Sequence, residues 1–570
     1  MIKLPYGRAD FRSLRKGGYY YVDRTSYLPR LEALGETYLI FLRPRRFGKS
    51  LWLSTLAHYY GQEHAGEFEP LFGGLYVGQQ PTPLANQYRV LHFDFSSIDT
   101  QTRESTYEGF LRRVYQGIGD FARRYPEAIA PEVAAQMNEY RRPEALMDAF
   151  LQRVSRSEPP LYLLIDEYDH FTNELISFDL NHFQEVVSRQ GWVRKFYEVV
   201  KTGTGRGTID RIFMTGVSPV TLDSLTSGFN ISTNLSQDPE MHGLMGFTEA
   251  ETQTILHQSG VAADRLPAVM TDVQRWYNGY GFTSEGEPLR LYNPDMVLFF
   301  AKEYQKRQHY PPQLLDTNIA SDYGKIRNTF RLGKDEVNAY DLLRRILSEG
   351  PIATRLTEQF SFERRFTQED FLSLLYYLGL LTMQGTRLGM PRLGVPNLVV
   401  EKLYFDFLLE QLHQELDLPP ALNVQQLVLE MAEHNRPEPL LELVAQTLGQ
   451  VSNRDLIHLN ETGIKMILLS YLHASQLYYL RSEHEAERGY VDLLLLRKPP
   501  IETPYQFVFE LKHLKQKDAH LLEAALTEGR AQLQRYQQAE ELQAQPNLRT
   551  WLAVFVGTEL RVVEEVSGLE

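Results

Sequence analysis

Two sets of residues in this chain have types and spacing suited to chemistry on phosphate. The first is RPRRFGKS, Arg43 to Ser50. A lysine and a hydroxyl residue ending a loop that opens a helix can bind a triphosphate. Lys49 would reach the β- and γ-phosphates, and the Ser50 hydroxyl would sit on Mg²⁺. Arg46, Phe47 and Gly48 form the turn against the phosphates, and N–H groups at the new helix's N-terminus add anion contacts. The usual first glycine of such a loop is replaced by Arg43, and Arg45 adds further positive charge. The partner motif is LYLLIDEYDH, an apolar run ending in Asp166 and Glu167. Asp166 can hold the Mg²⁺ through water, and Glu167 can orient and deprotonate an attacking water. Alone, the pair would read as a cap on the next helix; the two motifs together favour a nucleotide site. RIFMTGVSPV brings Thr215 and Ser218 to the end of another apolar run. Thr215 is a candidate γ-phosphate sensor, with a loop-capping hydroxyl as the equal alternative. Arg206 and Arg211 are candidate trans-acting arginines, with solvated surface residues as the commoner reading.

The second set lies toward the C-terminal end. GYVDLLLL contains Asp492, and FVFELKHL contains Glu510 and Lys512. Strand alternation puts Glu510 and Lys512 on one face, with Leu511 opposite. Asp492 and Glu510 can then share Mg²⁺ or Mn²⁺ through hard carboxylate oxygens, an ion that activates water and stabilises charge on a phosphorane. Lys512 would orient the nucleophile or neutralise the scissile phosphate, and Glu461 can complete the acidic cluster. Gln532 and Tyr536 share a helix face and can reach a nucleic-acid backbone. His484 and His513 read as surface or packing residues.

These residues need elements to position them. Tyr38–Leu42, Val90–Phe95, Leu161–Ile165 and Ile212–Met214 have the short, branched and aromatic character of buried strands, separated by helix-length segments. That pattern predicts a parallel sheet flanked by helices. From about Asp295 to Asn453 the periodicity turns helical, interrupted by a glycine- and proline-marked hairpin within LTMQGTRLGMPRLGVPNLVV, a combination compatible with a winged-helix module. Pro419 and Pro437 mark candidate joints. The remainder returns to mixed α/β: a helix over Glu461 to Leu480, strands at Val491–Leu496 and Phe507–Lys512, a helix near Ala519 to Ala539, and a last strand at Trp551–Gly557. The expected α/β architecture has three parts: a P-loop ATPase domain over 1–295, a helical linker or lid over 296–450, and a restriction-endonuclease-like domain over 451–570.

Composition bounds these readings. The 570 residues are 43% hydrophobic and 23% charged, which excludes disordered and collagenous classes. The absence of cysteine excludes a disulfide framework, a thiolate metal site and a cysteine nucleophile. MIKLPYGRADF lacks the apolar core of a signal peptide and no apolar run reaches membrane length, so a cytoplasmic, membrane-free protein is expected. A net charge of −14 argues against a protein that coats nucleic acid, leaving local basic patches for any such contact.

Several longer segments carry a resemblance: YYYVDRTSYL (19–28), FLRPRRFGKS (41–50), LLIDEYDH (163–170), FMTGVSPV (213–220), GFTEAET (246–252), WYNGYGF (276–282), YNPDMVL (292–298), VPN (395–397) and GYVDLLLL with FELK. Through them the chain resembles bacterial and archaeal AAA-ATPase-like proteins fused to a C-terminal PD-(D/E)XK nuclease domain. The resemblance implies ATP binding with Lys49, Ser50, Asp166 and Glu167 in the usual roles. It also implies a metal-dependent phosphodiesterase centre at Glu461, Asp492, Glu510 and Lys512. The expected activity is an ATP-gated nuclease using Mg²⁺ or Mn²⁺, acting on DNA ahead of RNA, working as a homo-oligomer and serving in defence against foreign nucleic acid. The alternative is a nucleotide-driven switch whose nuclease fold is catalytically silent.

Overall fold

The computed structural model describes residues 1–154, 159–178, 180–187, 191–219, 231–284, 289–315, 339–358, 360, 366–415, 421–451, 460–475, 477–486, 489–499 and 501–566. Two compact units divide the chain: Met1–Gln308 with Gln313–Ala339 and Pro351–Leu398, and His309–Pro312 with Tyr340–Gly350 and Val399–Glu570. Among the described residues, no helix is long and apolar enough to cross a membrane.

The first unit is built on strands β1 (Tyr38–Leu42), β2 (Arg89–Asp94), β3 (Leu161–Asp166), β4 (Ile209–Gly216) and β5 (Thr233–Asn234), in the order β2-β3-β4-β1-β5. Every pairing is parallel. Continuous apolar runs suit strands covered on both faces, and β3, LYLLID, is buried along its whole length. Each fully buried leucine or isoleucine there contributes roughly 1.5–3 kcal/mol. The helices Lys49–Tyr60 and Arg103–Arg124 pack on this sheet. The parallel order brings the C-terminal ends of β1, β3 and β4 together, which positions the loops carrying Lys49, Asp166 and Thr215. The two-residue β5 was not legible in the sequence, because a pair this short has no periodicity.

In the same unit, the expected hairpin forms from β7 (Thr382–Arg387) and β8 (Met390–Gly394), with β6 (Ile352–Ala353) beside β8. It follows the helix Gln368–Tyr377, whose Thr367 and Asp370 form a capping box. Helix followed by hairpin is the arrangement the sequence pattern anticipated.

The second unit contains the helices Leu398–Glu415, Ala421–His434 and Glu438–Val451. Pro437 separates the last two; Pro419 lies outside the described residues. Its sheet joins β9 (Tyr478–Ala486), β10 (Gly489–Arg497), β11 (Gln506–Leu514), β12 (Leu548–Val556) and β13 (Glu559–Glu565) in the order β13-β12-β11-β10-β9. β11 and β12 are parallel, and the helix Leu522–Tyr536 makes the crossover between them. The helix expected to reach Leu480 stops at Ser475, and Tyr478–Leu480 instead open β9. Pairing of Tyr478, Tyr479 and Leu480 with Arg497, Leu496 and Leu495 overrides a local pattern that continues the helix. β13 was likewise missed: ELRVVEE is a largely polar edge strand that Gly557, at φ 61°, turns back onto β12.

Candidate active sites

In the first unit, the chain leaves β1 at Leu42 and starts the helix at Lys49. Gly48 caps that helix at φ 97°, a left-handed conformation that favours glycine. Arg43 does not face a phosphate position. It is buried, donating to the carbonyls of Leu42 (2.9 Å), Ser236 (2.7 Å) and His242 (3.3 Å). Its guanidinium lies 4.2 Å from the Phe41 ring centroid and 4.1 Å from that of Phe282. The departure from the glycine pattern is therefore a structural device. Arg46 (φ 66°) pairs at 2.5 Å with Asp295, in the first turn of the helix Pro294–Arg307. Phe47 packs edge-on against Tyr280 and Phe282.

Lys49 Nζ folds back on its own loop, donating to the carbonyls of Arg43 (3.1 Å) and Pro44 (3.2 Å), and stands 3.8 Å from Glu167 Oε1. Asp166 accepts from the hydroxyls of Ser50 and of Thr215, the latter at 2.6 Å. Burial raises its pKa, and those two hydroxyls offset part of that. Glu167 adopts φ 52°, a strained conformation for a side chain of its size. Burial pushes its pKa up, but Lys49, His170 and Arg45 outweigh it and bring the value down to about 2. Lys49, Ser50, Asp166, Glu167 and Thr215 thus converge. Arg206 and Arg211 do not join them; Arg206 lies 3.5 Å from Asp148, and Arg211 donates to Tyr88.

A cavity of about 350 Å³ opens beside the loop. Lys49 and Ser50 line one side, with Tyr20, Tyr21, Phe247 and Leu298 among the other walls. None of those four carries a local motif that marks it as a site residue in the sequence. Asp169 was also missed. It is fully buried and accepts from the backbone N–H groups of Val217 (3.0 Å) and Ser218 (2.6 Å) and from Asn173 (2.6 Å), fixing the loop after β4. A Cβ at Gly216 would meet Asp169 Oδ1 at 2.4 Å, so only glycine fits there. Ser218 donates to Asn173 and belongs to this brace.

In the second unit, β10 and β11 pair antiparallel with Leu493 opposite Phe509, which leaves Asp492 and Glu510 each one residue beyond that pair on its own strand. Asp492 Oδ2 accepts from the backbone N–H of Leu511 at 2.9 Å. Lys512 Nζ lies 2.9 Å from Glu510 Oε1. Glu461, at the start of its helix, accepts from the backbone N–H of His513 at 3.3 Å, which draws the sequence-distant acid to β11. Burial, Asp492 and Glu461 push the Glu510 carboxyl well above the usual carboxylate range, against Lys512. Burial likewise raises Glu461. The Tyr536 phenol is pushed up to about 12 by burial and, less, by the charges of Glu510 and Asp492. The His513 ring contacts the Gly557 carbonyl at 3.0 Å, a packing role; the His484 side chain lies outside the described residues.

Lys465 was not anticipated. Its ammonium is 3.4 Å from Asp492 Oδ1. The signal was present, since Lys465 follows Glu461 by one helical turn. Among the described residues, no group of three or more acids or histidines is gathered closely enough to hold a metal ion. Two buried oxygens, Glu510 Oε2 and Gln532 Oε1, nevertheless have no hydrogen-bond partner there. An orphaned carboxylate oxygen on Glu510, within electrostatic reach of Asp492, fits a divalent cation held by those two residues.

Residues 5–226 match a sequence family described as a predicted AAA-ATPase, and residues 459–565 match the PD-(D/E)XK nuclease superfamily. An uncharacterized protein from the vnfD 5' region of Azotobacter chroococcum mcd 1 is 30% identical over 412 residues, covering 70% of this chain and 68% of that protein. Among solved structures, a Walker-type ATPase of Pyrococcus abyssi aligns over 67% of this chain and 96% of its own, at 11% identity and TM-score 0.37. The Aeropyrum pernix ORC1 protein, solved in complex with DNA, aligns over 69% and 95%, at 12% identity and TM-score 0.25.

Proposed function

This chain belongs to the family of predicted AAA-ATPases that carry a PD-(D/E)XK nuclease-superfamily domain toward the C-terminal end, and from that premise we propose that it is an ATP-gated, metal-dependent nuclease. The observation that carries the reading is the set Asp492, Glu510 and Lys512 on β10 and β11, with Glu510 buried and one of its oxygens unpartnered among the described residues. In the first unit, Lys49 and Ser50 would hold the triphosphate and its Mg²⁺ with Asp166. Glu167 would position and deprotonate water, and Thr215 would report the γ-phosphate through Asp166. Lys49 rests on its own loop carbonyls near Glu167, so its transfer to a triphosphate would lift the Glu167 pKa toward the range of a useful base. The cavity walled by Tyr20 and Tyr21 has room for the base and sugar.

In the second unit, Asp492 and Glu510 would hold Mg²⁺ or Mn²⁺, which supplies Lewis-acid stabilisation of a phosphoryl oxygen when bound. Lys512 keeps Glu510 in place and supplies positive charge next to a phosphodiester. Tyr536 and Gln532, four residues apart on one face of the helix Leu522–Tyr536, would contact the backbone. DNA is the favoured substrate over RNA, and an acidic chain of this kind would meet it at a local surface within the cytoplasm. A homo-oligomer completes this reading, as does a role in defence, where ATP gating would restrain a nuclease inside its own cell.

The test is cleavage of plasmid, linear and single-stranded DNA and RNA with Mn²⁺ or Mg²⁺, with and without ATP. Cutting is expected to need metal, to depend on ATP, and to vanish in Asp492→Ala and Glu510→Ala; retained cutting in both variants would overturn the assignment. One observation favours a second reading, a nucleotide-driven switch with a silent nuclease fold. Both Asp492 oxygens are already engaged, by Leu511 N–H and by Lys465. Absence of cutting under every condition, with intact nucleotide binding, would select it.

A further inference from the structure

We propose that Lys465 is the resident cation of the C-terminal acidic site: its ammonium holds Asp492 and competes with divalent ions for that carboxylate. The inference rests on reading Asp492 and Glu510 as metal ligands.

Lysine is almost never fully buried unless paired, and Lys465 is only 5% exposed. It stands one turn beyond Glu461 on the helix Glu461–Ser475, so both side chains lie on the same helix face. Its Nζ is 3.4 Å from Asp492 Oδ1, while Asp492 Oδ2 accepts from Leu511 N–H at 2.9 Å. Asp492 is thus engaged at both oxygens. Glu510 differs: Oε1 is 2.9 Å from Lys512 Nζ, but Oε2 is buried with no partner among the described residues. The two carboxylates, one on β10 and one on β11, are therefore unequal toward an incoming cation. Glu510 offers an open oxygen, and Asp492 must first give up an ammonium.

Charge arithmetic points the same way. Glu461, Asp492 and Glu510 bring three partly to fully buried carboxyl groups within electrostatic reach of one another, and Lys465 and Lys512 bring two ammonium groups against Asp492 and Glu510. Uncompensated charge in such surroundings is costly, so the lysines allow the acids to stay together without metal. The same positive charge repels a divalent ion at Asp492. Lys465 acts through Asp492 and is a positioning residue that sets metal affinity. Lys512 differs in kind, because its partner Glu510 keeps one oxygen open.

The test is calorimetric titration of Mn²⁺ into the full chain without nucleotide, comparing wild type with Lys465→Met, Lys465→Gln and Lys465→Arg. Each is repeated with Glu510→Gln to isolate binding at this site. The two neutral variants are expected to bind Mn²⁺ at least about tenfold more tightly in the Glu510-dependent component, because a like charge a few ångströms away is removed. Lys465→Arg, which keeps the charge, should stay within about threefold of wild type. In an Asp492→Asn background the gain should disappear. Glu510-dependent binding that is no tighter in the neutral variants would overturn the role of Lys465 and leave the site reading standing. No Glu510-dependent binding in any protein would overturn both. Should Lys465→Met fail to fold, Lys465→Gln, which retains length and a hydrogen-bonding amide, carries the comparison. Loss of folding in both would mark Lys465 as purely structural and overturn the proposal.

Discussion

Arg43 occupies the position where a phosphate loop usually has glycine, and the structure gives it a different task. Its guanidinium joins the end of β1 to the Ser236 and His242 carbonyls and lies against the Phe41 and Phe282 rings. Restoring the glycine should therefore harm the protein. Arg43→Gly would leave buried carbonyls unpartnered and a void between two rings, at a cost of about 2–5 kcal/mol. Thermal unfolding should show a clearly lowered Tm, and an unchanged Tm would mean that the contacts carry little stability. Lys49, Ser50, Asp166 and Glu167 were legible because strand, loop and helix bracket them in sequence. Asp169 was not, since its partners Val217 and Ser218 belong to another strand's loop. Tyr20 and Tyr21 were missed for the same reason: an aromatic pair acquires a site only once the fold brings it beside Lys49.

At the scale of elements, the cavity beside Lys49 is bordered by a clamp between the N-terminal segment and the helix Glu249–Gln258. Arg24 pairs with both oxygens of Glu251 and donates to the Gly246 carbonyl at 2.6 Å, while Thr248 and Glu251 form the helix's capping box. Burial would raise the Glu251 pKa, but Arg24 outweighs it and holds the group below its usual 4.5. A carboxylate with a depressed folded pKa stabilises the protein above its unfolded value and loses that contribution as pH falls through the folded one. The Tm difference between wild type and Glu251→Gln should accordingly be largest near neutrality, about 1–3 kcal/mol in stability terms. It should shrink below pH 4.5. A difference independent of pH in melts from neutral to acid would show that the ion pair contributes nothing. The elements themselves were mostly readable. Buried strands such as LYLLID announce themselves by continuous apolar character, whereas β9 and β13 depend on neighbours in the sheet for their existence.

For the whole molecule, the relevant fact is that each candidate site is assembled from residues of one compact unit: Lys49, Asp166 and Glu167 from the first, Glu461, Lys465, Asp492, Glu510 and Lys512 from the second. Binding at the two sites should therefore separate. Lys49→Ala is expected to abolish binding of a fluorescent ATP analogue while leaving Glu510-dependent Mn²⁺ binding within about twofold of wild type, since sites without shared partners behave additively. Joint loss of both would show that the second site requires the first to form. The net charge of −14 adds a constraint on any nucleic-acid contact, which must come from local positive groups within an acidic body.

By itself the sequence determined the α/β class, the phosphate loop, the acidic strand end and the Asp492, Glu510 and Lys512 constellation, because each is encoded by residues adjacent along the chain or on two strands that follow one another in sequence. Tertiary structure alone decided what surrounds them. It set Arg43 inward, braced the β4 loop on Asp169, drew Glu461 to the backbone of β11, and placed the Lys465 ammonium on Asp492. These are contacts between distant segments of chain, fixed by strand order and by the cost of leaving buried charge and buried backbone groups without partners.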